Sequence, residues 1–87
     1  ILTEVDFSRS YLTGANFRDA HLEKANFQSA ILHGADFRGA HLAKANFAGA
    51  NLKNANLPLY YSYDVYYDEH TYFDRDFDPK FMGWKII

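Results

Sequence analysis

The chain has 87 residues, no cysteine and a formal net charge of −2. That length suits one small domain and is marginal for a single round core. The missing cysteine excludes disulfides and thiolate metal sites, the mild acidity argues against a general binder of phosphate backbones, and no apolar run nears the ~18 residues that a membrane span requires.

No basic start followed by an apolar run marks a signal peptide. Peripheral membrane contact stays open. The chain opens Ile1-Leu2 without Met, which reads as a processed or truncated product, or as a start that was not seen.

The first segment, residues 1–57, repeats every five residues. Its large apolar positions are Leu2, Phe7, Leu12, Phe17, Leu22, Phe27, Leu32, Phe37, Leu42, Phe47, Leu52 and Leu57. Two places before them stand Ala15, Ala20, Ala25, Ala30, Ala35, Ala40, Ala45, Ala50 and Ala55, with Val5 and Ser10 as the early departures. The intervening position is often Asn or Asp: Asp6, Asn16, Asn26, Asp36, Asn46, Asn51 and Asn56. A fixed period of this kind is the mark of a repeat architecture.

Neither regular element tolerates a period of five. In a helix, at about 100° per residue, successive large residues land about 140° apart and cover every side. In a strand they alternate between faces. A chain that bends once in each repeat brings every Leu and Phe to one interior. The Ala two places earlier then points inward as well. Gly14, Gly34, Gly39, Gly49 and the Asn/Asp residues suit bends with unusual backbone angles. Stacked coils pair their backbone groups at about 4.8 Å spacing.

AHLEK, ANFQS, ADFRG, AHLAK, ANFAG, ANLKN and ANLPL resemble the A-(D/N)-L-x-x motif of the pentapeptide-repeat proteins. The resemblance implies an all-β fold, a right-handed quadrilateral parallel β-helix with four repeats per coil. Residues 1–57 would then form a solenoid of about three coils, roughly 14 Å tall. It also implies that residues 20 apart stack. Phe7, Phe27 and Phe47 would make one interior column, and Phe17, Phe37 and Leu57 the opposite one. Leu2, Leu22 and Leu42 would fill the third side, and Leu12, Leu32 and Leu52 the fourth.

The second segment, residues 58–87, belongs to the same domain but has no such period. Six of the seven Tyr lie there. It is also the acidic part, with Asp64, Asp68, Glu69, Asp74, Asp76 and Asp78 against Arg75, Lys80 and Lys85. A stack of coils exposes strand edges and apolar side chains at its ends. The segment is expected to cover one end as an aromatic cap, irregular or partly helical, with its carboxylates keeping it soluble. TYFDRDFDPKFMGW resembles the closing segment of pentapeptide proteins from cyanobacteria and plastids. Tyr and Trp favour interfaces, so Tyr60, Tyr61, Tyr63, Tyr66, Tyr67 and Trp84 are the candidate interaction residues.

Other constellations read as surface. His21 and His41 should stack on an outer face, with no carboxylates placed around them, so they count as solvated histidines rather than metal ligands. His33 and His70 are more isolated. Arg18 and Arg38 stack beside Asp19 and read as a solvated face rather than an anion site. Asn16, Asp36 and Asn56 are expected to serve backbone groups at corners. Asp74 and Asp76 suggest acid–base chemistry only on paper, and no phosphate-cradling glycine loop or calcium loop is present.

The expectation is a non-catalytic structural or protein-interaction module without cofactor, metal or nucleic-acid partner. The resemblance of the tail adds a version of it: an accessory subunit of a larger, photosynthetic assembly in a thylakoid lumen or in the cytoplasm of a cyanobacterium or plastid. Two alternatives are a DNA mimic that binds gyrase and a terminal appendage of a longer enzyme or channel. The DNA mimic needs a long acidic rod, whereas the repeats carry Arg9, Arg18, Lys24, Arg38, Lys44 and Lys53 against Glu4, Asp6, Asp19, Glu23 and Asp36.

Overall fold

The bends fall at one fixed place in every repeat. In a computed structural model that describes residues 3–58 and 64–87, the second residue after each large apolar one has positive φ. These residues are Glu4, Arg9, Gly14, Asp19, Lys24, Ser29, Gly34, Gly39, Lys44, Gly49 and Asn54. From the turn at Arg9 onward each closes with an N–H donated back across it, as Ala15 N to Leu12 O at 3.0 Å and Ala30 N to Phe27 O at 3.1 Å. A left-handed third residue is the signature of a type II turn, for which glycine is the cheapest occupant.

The Asn and Asp residues before the large apolar positions do not take that conformation, contrary to the sequence expectation. They occupy the bridge position instead, and their side-chain oxygens accept the N–H two residues on. Examples are Asn16 from Arg18 at 3.0 Å, Asn26 from Gln28 at 2.9 Å and Asn46 from Ala48 at 2.9 Å. The short polar side chain thus satisfies an amide that the turn leaves without a backbone partner.

The coils step by 20 residues. Parallel bridges join Asp6, Asn26, Asn46 and Tyr66 in one column, and Asn16, Asp36 and Asn56 in another. His21 pairs His41 on a third side, and Tyr11, Ile31 and Asn51 follow on the fourth. Two amides per side carry the ladder, for instance Asn26 N to Val5 O at 2.9 Å and Phe27 N to Asn46 O at 2.8 Å. The left-handed residue adds a third: Ser29 N donates to Ala48 O at 2.9 Å.

The interior is dry. Leu22, Phe27, Leu32, Phe37 and Phe47 have no exposed surface, nor do Ala25, Ala30, Ala35, Ala40, Ala45 and Ala50. Phe17, Leu42, Leu52 and Leu57 are also buried. Phe7, Leu12, Ala15, Ala20 and Ala55 are only partly covered. Leu2 lies outside the described residues. Phe7 stacks on Phe27 and Phe27 on Phe47, with centroids 5.3 and 4.9 Å apart. Phe17 stacks on Phe37 at 5.1 Å, and the two columns meet edge to face, as Phe27 meets Phe37 at 5.7 Å. Each such ring pair is worth ~0.5–1.5 kcal/mol beyond its buried area.

The ladder does not stop at Leu57. Val65-Tyr66-Tyr67 lies on Ala45-Asn46-Phe47, with Tyr66 N donating to Ala45 O and Phe47 N to Tyr66 O. Thr71-Tyr72-Phe73 lies in the same way on Ala50-Asn51-Leu52, through Tyr72 N to Ala50 O and Leu52 N to Tyr72 O. Asn46 pairs a residue 20 places on, but Asn51 pairs Tyr72, 21 places on. One extra residue sits between these two hidden rungs. Strand β1, Tyr66–Tyr67, then pairs in parallel with β2, Lys85–Ile86.

The extra residue moves backbone carbonyls out of reach, and carboxylates replace them. Asp68 Oδ1 accepts from Gly49 N at 2.9 Å, and Asp74 Oδ1 from Asn54 N at 2.8 Å. These acidic residues therefore serve the backbone, beyond the solubility role expected of them. No helix occurs among the described residues, so a partly helical end is not found there. Pro79 to Trp84 makes a single closed turn, with Trp84 N to Pro79 O at 2.9 Å and Gly83 N to Lys80 O at 3.1 Å. Gly83, with φ of 86°, ends it in the Schellman pattern.

Candidate functional site

The aromatic residues of the tail divide by burial. Tyr67 and Trp84 are buried, at 6% and 5% exposure, so neither is available to a partner as expected. The reason is packing. Trp84 stacks on Phe47 at 5.4 Å and meets Phe73 and Phe77 edge to face, and Tyr67 meets Phe73 at 5.4 Å. Tyr66 is partly buried in the ladder. Tyr60, Tyr61 and Tyr63 lie outside the described residues.

The large rings left in solvent are others. Tyr11 is 88% exposed and Tyr72 is 67% exposed. Both belong to one outer column, Tyr11–Ile31–Asn51–Tyr72, because each occupies the bridge position, where the side chain leaves the shaft. Three rungs of about 4.8 Å separate the two rings. Phe81 and Ile86 are exposed at the far end. The column was readable at Tyr11 and Ile31, which stand 20 apart where other repeats carry Asn, Asp or His. Tyr72 was hidden by the extra residue before it.

The adjoining faces are polar. Arg18 and Arg38 converge on Asp36, not on Asp19. Arg38 donates from Nη2 to Asp36 Oδ2 at 2.7 Å and from Nε to Oδ1 at 2.9 Å, while Arg18 Nε stands 3.9 Å from Oδ2. The Arg38 fork holds the Asp36 carboxyl down to about 2, against an ordinary 3.8. The guanidiniums are thus already matched with an anion of the chain itself. At the tail, Lys85 Nζ pairs Asp64 Oδ1 at 2.7 Å. His33 Nε2 lies 3.5 Å from Asn54 Nδ2, and His70 Nε2 lies 3.4 Å from Glu69.

On the third face the imidazoles of His21 and His41 stack at 4.5 Å with 6° between their planes. The absence of a nearby carboxylate expected from the sequence does not hold. Glu23 Oε2 stands 3.5 Å from His21 Nδ1, because the turn after Leu22 swings Glu23 back toward the bridge position. Its other oxygen, Oε1, is buried without a hydrogen-bond partner. The carboxyl is held below its usual range, first by the attraction of Glu23's own backbone N–H and then by the two histidines, with desolvation opposing them. That N–H attraction falls short of hydrogen-bond geometry.

The description Pentapeptide repeats (8 copies) matches residues 1–39 and again 20–58. The chain belongs to the pentapeptide-repeat family, whose members fold as a quadrilateral β-helix. Solved structures are similar. A pentapeptide repeat protein from Nostoc Pcc 7120 is 26% identical with a TM-score of 0.51, over 94% of this chain and 84% of that one. One from the cyanobacterium Cyanothece 51142 is 28% identical with a TM-score of 0.43, over 82% of this chain and 55% of that one. A pentapeptide repeat protein of the Arabidopsis thaliana thylakoid lumen is 29% identical with a TM-score of 0.37, over 83% of this chain and 57% of that one. A search of curated proteins gave no match.

Proposed function

We propose that the chain is a non-catalytic interaction module that docks a protein partner through its Tyr11–Ile31–Asn51–Tyr72 face. One observation carries this reading: two largely exposed tyrosines flank Ile31 along a single bridge column of a stiff stack. Tyrosine is effective at an interface, where its ring is buried and its hydroxyl stays hydrogen-bonded. The repeats wind right-handed in three coils, and residues 64–87 act as the cover of their final coil. The likeness to a Nostoc protein supports a cyanobacterial or plastid setting, with the chain as an accessory subunit of a larger assembly there. No helix among the described residues is long and apolar enough to cross a membrane.

Affinity purification from the source organism, with wild type beside a Tyr11→Ser/Tyr72→Ser variant, tests the reading. A complex recovered with wild type and lost with the folded variant supports it. Equal recovery with both, or a clean monomer with wild type, overturns the assigned face. Inhibition of gyrase supercoiling at micromolar protein would move the reading to a DNA mimic.

A further inference from the structure

We propose that His21, Glu23 and His41 form a surface site for a divalent transition-metal ion of the Zn2+ class. The three side chains each offer one ligand atom, and these atoms all lie within 4.8 Å of one another. Two imidazoles and one carboxylate are a donor set that suits Zn2+, with a fourth position left to water. In a tetrahedral site with bonds of about 2.0–2.1 Å, ligand atoms stand roughly 3.3 Å apart. Glu23 Oε2 and His21 Nδ1, at 3.5 Å, already have that spacing. His41 is exposed, so its ring can rotate out of the stack and supply the third bond.

A second observation points to a cation. Glu23 Oε1 is shut off from water and has no hydrogen-bond partner. The other oxygen, Oε2, is the one beside His21 Nδ1, and a metal ion bound there compensates the charge of a carboxylate that is already partly desolvated. The arrangement also fixes what the ion would do. His21 and His41 sit on successive coils joined by their bridge. An ion shared between them clamps those coils together and stabilises the folded chain by mass action. The site lies on a different face from the Tyr11 column and does not depend on the proposed docking role.

The test uses the tag-free 87-residue chain, ZnCl2 in calorimetry and CoCl2 in visible absorption at pH 7.5. Wild type should bind one Zn2+ per chain, show the absorption bands of tetrahedral Co2+, and melt higher with Zn2+. His21→Ala/His41→Ala should lose the site, and Glu23→Gln should weaken it about tenfold or more. Far-UV circular dichroism checks that each variant is folded. Should a variant unfold, wild-type NMR decides: Zn2+ must shift the ring signals of His21 and His41 and leave those of His33 and His70 in place. Binding that survives in the folded double variant, ring shifts confined to His33 or His70, or no binding to wild type overturns the proposal.

Discussion

Phe7 and Phe47 occupy the same column, one coil to either side of Phe27, yet their surroundings differ. Trp84 lies over the free face of Phe47, which has no exposed surface. Phe7 is only partly covered, and among the described residues no ring lies on its outer side. Among the described residues the two rings therefore show what a repeat supplies and what it does not. A repeat seals the ring below it; the last ring has to be sealed by chain that follows other rules. At the far end that chain reuses the ladder for two rungs, then turns an indole onto the column.

The difference can be broken in order of effect. Phe27→Ala, at the buried centre, should cost ~3–5 kcal/mol in urea unfolding, against about 1–2 kcal/mol for Phe7→Ala, which removes less buried area. Equal losses would mean that the two ends are covered alike. Trp84→Ala should cost about 3 kcal/mol, since it uncovers Phe47. The chain has one Trp, so its emission in wild type should be blue-shifted and should move to the red on unfolding. A solvent-like native spectrum would refute its place over the column.

Ala35→Leu should lower stability by ~1–3 kcal/mol or more, because the side chain enters a filled shaft. A melting temperature equal to wild type would remove the buried alanines from the account. Asp68→Ala should cost about 1–2 kcal/mol, since the amides of Gly49 and His70 lose their acceptor. Asp68→Asn, which keeps an oxygen there, should recover most of it.

The smallest effect concerns acid. The folded carboxyl of Asp36 titrates lower than an unfolded one, so its contribution is complete above the ordinary 3.8 and is lost as pH falls toward about 2. Asp36→Asn keeps the acceptor for Arg38 N and removes the charge. Its acid-unfolding curve should be flatter than wild type across that window, with both curves parallel above it.

The shaft was readable because one constraint, a large side chain every fifth residue, has a single solution that buries them all. The position of Ala35 follows from that solution without further input. The tail hid its two rungs for a local reason. V-Y-Y and T-Y-F keep a smaller residue two places before a large one, but Val65 and Thr71 replace Ala and stand six apart instead of five. A search for that spacing would have found them. Glu23 escaped for a different reason. Its closeness to His21 depends on the turn angle after Leu22, and periodicity reports which side a residue faces, not how far a long side chain folds back.

Because Asp68 and Asp74 reach the amides of Gly49 and Asn54 through side chains, those two junctions need no carbonyl in register, while the rungs at Tyr66 and Tyr72 still pair backbone to backbone. Such a joint tolerates growth of the tower beneath it. Duplicating residues 20–39 should lengthen the protein by one storey while the Asp68–Gly49 and Trp84–Phe47 junctions persist, measurable as unaltered indole fluorescence on a taller particle.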